Sequence, residues 1–166
     1  NSSTSMSSCT IRLMVSASLR VASSWVTCGP NSIAQVTSFR IAPRAFTLWV
    51  VEIDPFNPTS KPVKRTALGR FAHEGAWPCN PVAGKPLVFY MGDDSQNEYI
   101  YKFVSKANWD TADIGKGLAA GAKYMDEGTL YVAKFNTDGS GTWVELTFGK
   151  NGLSAANATY PFADQA

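Results

Sequence analysis

From position 48 onward the chain is a succession of short β-rich runs closed by glycine, proline or aspartate, a cadence that points to antiparallel sheet. Runs at 49–54, 87–91, 98–104, 129–135 and 142–148 are rich in Val, Phe, Tyr and Trp, residues that suit a pleated, half-buried surface. Pro55 and Pro58 stop the first run and Gly92-Asp93-Asp94 stops the second. Proline is tolerated at strand ends but not within a central ladder. In the third run Tyr99, Tyr101 and Phe103 alternate with Glu98, Ile100 and Lys102. Side chains alternate along a strand, so one face there is aromatic and expected to be buried. The last two runs flank Asn136-Thr137-Asp138-Gly139-Ser140-Gly141, a polar connection that reads as a hairpin loop through Asp138-Gly139. The stretch 112–125 is rich in Ala and Gly; Gly115, Gly117 and Gly121 weaken a helix there, and it reads as a loop with helical turns. The expected fold class is all-β, with antiparallel sheets of a sandwich, barrel or propeller, among which periodicity does not choose.

Residues 1–47 are a different kind of text. Positions 1–51 contain Arg12, Arg20, Arg40 and Arg44 but no lysine and no acidic residue, and neither a 3.6 nor a 2.0 apolar period persists beyond a few residues. Out-of-frame translation of GC-rich DNA would give this Arg/Ser/Ala/Pro bias. The segment 1–47 is therefore expected to be irregular, either disordered or out of frame, and not to join the sheet of a second unit, 48–166. Asn1-Ser2-Ser3-Thr4-Ser5 lacks a charged n-region and a clean apolar run, so it does not read as a signal peptide; the chain reads as beginning within a longer protein.

The 166 residues suffice for one ordinary domain, and no apolar run reaches the roughly 18 residues of a membrane span. The formal charge of +2 comes from the N-terminal segment, so there is no coherent basic face and a nucleic-acid partner is discounted. Cys9, Cys28 and Cys79 are odd in number and show no CxxC spacing, which indicates neither a disulfide framework nor a zinc knuckle. Oligomeric state is not legible.

The acids cluster at His73-Glu74-Gly75-Ala76, Met91-Gly92-Asp93-Asp94 and Asp126-Glu127-Gly128, each attached to a strand-like run. Taken singly, Glu74, Asp93, Asp94 and Glu127 read as solvated loop acids. Taken together they suggest carboxylates gathered for a metal. A hard cation such as Ca²⁺ needs several oxygen ligands and no EF-hand loop supplies them locally, so such a site must be assembled from distant segments. Alternation along the strand allows one of Asp93 and Asp94 to face the same site as Glu74. His73 is the sole histidine, which excludes a His-rich metal site and reads as a supporting neighbour of Glu74.

These runs carry a longer likeness. WVVEIDPFNPTSKPVKRTALGRFAHEGA, VFYMGDD, EYIYKFVSKANW, DEGTLYVAKFNTDGSG and the closing FADQA resemble the PhoX-type alkaline phosphatases (the DUF839 family) from Trp49 to Ala166. The resemblance implies a β-propeller with iron and calcium bound at the mouth of its central channel, a phosphate monoester substrate, and a periplasmic or secreted complete protein. It also implies metal-ligand roles for Glu74 and Asp93, with Asp94 beside it, and less directly for Glu127. Trp25-Val26-Thr27-Cys28 is similar to part of the family's TPWGTWLTCEEN motif, whose cysteine bridges irons, so Cys28 joins the candidate ligands (Ca²⁺ and Fe³⁺); Gly29-Pro30 stands where the family has an acidic pair. The family continues beyond FADQA into a motif with an arginine and a glutamate, so the chain is expected to hold part of the propeller and of its metal cluster. The alternatives are a non-catalytic calcium-binding propeller segment and an inactive partial gene product.

Overall fold

The structure is a computed structural model that describes residues 21–24, 35–39, 49–54, 57 and 59–165. Two antiparallel meanders follow one another along the chain. The first sheet has four strands in sequence order, β1 (Val21–Ser24), β2 (Gln35–Phe39), β3 (Val50–Ile53) and β4 (Val63–Lys64). The second has five, β5 (His73–Pro78), β6 (Pro86–Asp93), β7 (Ile100–Asn108), β8 (Gly128–Phe135) and β9 (Gly141–Glu145). Every strand pair is antiparallel.

Each of the five β-rich runs is a strand, and the last two form the expected hairpin. Asn136 N–H donates to Ser140 O at 2.8 Å, Asp138 Oδ1 accepts from Ser140 N–H at 2.9 Å, and Gly139 supplies φ +83°, a conformation that favours glycine. Two expectations need correction. The segment 1–47 contributes β1 and β2, which ladder onto β3 through Val36↔Glu52 and neighbouring pairs; the rest of that segment lies outside the described residues. Short strands without a sustained period are stabilised by the ladder to their neighbours, which a local pattern does not display. The stretch 112–125 ends in a true helix, α1 (Leu118–Met125).

The core lies between β3 and the inner face of the second sheet, closed by α1. Alternation in β6 sends Leu87, Phe89 and Met91 inward, and Phe103 of β7, fully buried, packs with them alongside Val50, Leu68, Tyr124 and Met125. Where the β6–β7 ladder slips between Pro86 and Val88, buried Ser105 Oγ accepts from Leu87 N–H at 2.8 Å and donates to Ala107 O at 2.7 Å, so the irregularity leaves that amide paired. The aromatic face expected in β7 is buried at Phe103 but only half-buried at Tyr101, and Tyr99 precedes the strand, 55% exposed. The described residues form two packed sheets and do not close a propeller.

A buried ionic group holds α1 to the first sheet. Arg65 Nε donates to Glu52 Oε2 at 2.6 Å, Nη1 to both Asp126 carboxylate oxygens at 2.9 Å, and Nη2 to Leu118 O at 2.9 Å. Arg65 and Glu52 are both essentially fully buried. Burial pushes the Glu52 carboxyl up while Arg65 draws it down. A Cβ on Gly121 would fall on the Glu52 carboxylate. The glycine that weakens the helix in the sequence is thus required by its packing.

Candidate functional site

Glu74 and Asp93 come together through a defect in the ladder. His73 pairs with Asp93 and Gly75 with Gly92, leaving Glu74 as the extra residue of a β-bulge. A bulge bends its strand and re-aims a side chain, and bulges are frequent beside active sites. Glu74 is therefore on a strand rather than in a loop, exposed, with its backbone next to Asp93 at one end of the five-stranded sheet.

The turn that follows fixes the other acids. Asp93 Oδ1 accepts from Ser95 N–H at 2.9 Å, Asp93 N–H donates to Tyr99 O at 3.2 Å, and Asp94 N–H donates to Ala72 O at 2.8 Å. The last bond ties the turn back to the start of β5, so both aspartates and Glu74 share that end of the sheet.

His73, on the same rung as Asp93, is buried. Its Nε2 lies 3.1 Å from Gly69 O, a geometry that places the proton on Nε2 and leaves a lone pair on Nδ1, which is buried with no hydrogen-bond partner in the described structure. Burial lowers its pKa to about 4, against the opposing influence of the Gly69 carbonyl and of Asp93. The ring stacks on Phe71 at 3.7 Å, and Phe71 stacks on Tyr101 at 4.1 Å. Burial, then the negative charges of Asp93 and Glu98, push the Tyr101 phenol up to about 12, so it stays protonated beside these acids. Sequence reading did not single out Tyr101 for this site; the cue would have been its place directly across from Met91, two residues before Asp93.

The remaining candidates are placed elsewhere. Glu127 precedes β8 at the end that pairs with Ser105, the opposite end of the sheet, roughly 16 Å along β7 from Ile100. There it pairs with Lys106 at 2.6 Å, both largely exposed, and that hydrogen bond lowers its pKa. An acid at a strand boundary can belong to either end of an antiparallel sheet, and the pairing decides which. Cys28 lies outside the described residues. Among the described residues no group of three or more His, Cys, Asp and Glu is gathered to hold an ion. In type, the carboxylate oxygens of exposed Glu74 and Asp94 and of half-buried Asp93 suit a hard cation, and the buried Nδ1 of His73 has no hydrogen-bond partner among the described residues. In number they fall short of the roughly six to eight oxygens of such a shell.

No helix among the described residues is long and apolar enough to cross a membrane. No curated protein and no solved structure matches the chain. The profile of the family described as alkaline phosphatase PhoX matches residues 22–166, taking in both sheets and the Glu74–Asp93 end, and the chain therefore belongs to the PhoX alkaline phosphatase family.

Proposed function

We propose that this chain is part of a metal-dependent phosphatase that hydrolyses phosphate monoesters, in a complete protein that is a β-propeller exported to the periplasm or secreted. The observation that carries the reading is the bulge that sets Glu74 beside Asp93 in a chain of a phosphatase family. Glu74 and Asp93, with Asp94 adjacent, would hold calcium or ferric ions. When bound, such ions neutralise the charge that develops on a transferring phosphoryl group. The chain's own contribution is positional: the bulge presents Glu74, the Asp93–Ser95 turn fixes the carboxylate of Asp93, and Phe71, whose ring stacks on both His73 and Tyr101, holds those two rings in place.

The test is metal uptake by calcium titration and iron analysis, with p-nitrophenyl phosphate turnover in a longer chain carrying the same residues. Glu74→Ala should lower bound metal and abolish turnover with the fold intact, while Glu127→Ala at the far end should change neither. Normal metal content and turnover in Glu74→Ala would remove the assigned role. A second reading, a calcium-binding segment without catalysis, is favoured by the oxygen-only donors of the exposed acids; calcium uptake without iron, visible absorption or turnover would select it.

A further inference from the structure

The aromatic face of β7 runs out of the core into the candidate site. Along it Phe103 is fully buried, Tyr101 half-buried and Tyr99 55% exposed, so core packing does not account for an aromatic ring at the last position. Its register places it. Met91 pairs with Tyr101 and Gly92 with Ile100, and the next rung is closed by Asp93 N–H, which donates to Tyr99 O at 3.2 Å. On its other side Asp93 pairs with His73. Residues opposite one another in an antiparallel ladder share a face, with Cβ atoms about 5 Å apart, so His73, Asp93 and Tyr99 form one row, and Glu74 is bulged out beside it. The Tyr99 ring meets that of Tyr101 edge-on, with centroids 6.5 Å apart and planes at 78°, and Tyr101 is itself stacked on Phe71 at 4.1 Å. An edge contact orients a ring while leaving at least one of its faces uncovered.

We infer that Tyr99 is the leaving-group platform of the candidate site, and that the phosphate monoesters it favours carry a planar aromatic group on the ester oxygen. This rests on the phosphatase reading and names the substrate class of that same site. Of the two neighbours of Asp93 on its row, His73 is buried and Tyr99 is exposed, so Tyr99 is the one that can touch an ester whose phosphoryl end is held at Glu74 and Asp93. A flat aromatic group laid on this ring removes two apolar faces from water and stacks, which is worth about two- to tenfold in affinity. A polyol such as glycerol has no face to offer. In the propeller proposed above, sheets pack face on face and their strand ends open at the mouth, which leaves the Tyr99 end of the row accessible.

Phenylphosphonate and methylphosphonate, which keep the phosphoryl oxygens but have no ester bond to cleave, test this by calorimetry in the longer chain supplied with calcium and iron. The unmodified protein should bind phenylphosphonate about two- to tenfold more tightly than methylphosphonate. Tyr99→Phe should keep that ratio, and Tyr99→Leu should bring it close to unity with calcium uptake unchanged. In turnover, Tyr99→Leu should raise the KM of phenyl phosphate relative to that of glycerol 2-phosphate by the same factor and leave the ratio of kcat values unchanged, as expected for a group held alike in ground and transition states. Equal binding of the two phosphonates, or a preference that survives Tyr99→Leu, would overturn the inference, and hydrolysis of both esters would then leave the phosphatase reading standing. A Tyr99-dependent preference without turnover would keep the platform and remove the catalysis. Neither phosphonate binding nor turnover would remove both.

Discussion

His73 stands where stability and the candidate site meet. Its pKa falls from 6.5 to about 4 because a buried imidazolium is poorly solvated. Below pH 6.5 the unfolded chain binds this proton more readily than the folded one, so the stabilisation, complete above that pH, is lost as pH falls toward 4. The shift corresponds to roughly 3 kcal/mol. Urea denaturation at pH 7 and pH 4.5 should show the loss, and His73→Phe, which retains the stack on Phe71, should remove the histidine's share of it. A single histidine in the chain makes the assignment direct. Equal pH dependence in the two proteins would mean that the imidazole titrates normally.

Helix α1 is held to the first sheet by charge as much as by packing. Arg65→Met would strand the Glu52 carboxylate, buried to 1% exposure, and should cost about 3–5 kcal/mol. The double variant Arg65→Met/Glu52→Leu should recover much of that loss, since a well-packed apolar replacement of a buried ion pair is often neutral. Chemical denaturation of the single and double variants checks both statements. A double variant no more stable than the single would show that Glu52 does not carry the penalty.

The described residues of both sheets share one core, so damage to the second sheet should reach the first. Phe103 is fully buried among Phe89, Met91 and Leu130, and Phe103→Ala should cost about 3–5 kcal/mol. Because Val50 of the first sheet belongs to the same apolar cluster, far-ultraviolet circular dichroism and hydrogen exchange at β3 should report unfolding at the same denaturant midpoint. Separate midpoints would mean that the sheets fold as independent units.

The runs around Phe89, Phe103 and Tyr131 announced their strands because alternation and turn residues act within a few positions, and the Asp138-Gly139 hairpin was legible for the same reason. Glu74 and Asp93 stood out for a related reason, since both acids sit at the borders of such runs. The sequence could not say that Glu127 belongs to the far end, that Glu74 is the extra residue of a bulge, or that Gly121 makes room for Glu52. Each of these depends on which backbone lies opposite which. β1 and β2 were missed likewise, because their partner is β3 rather than any pattern of their own. Local chemistry fixes where strands form and which acids stand out; pairing register and long-range packing fix which of them meet.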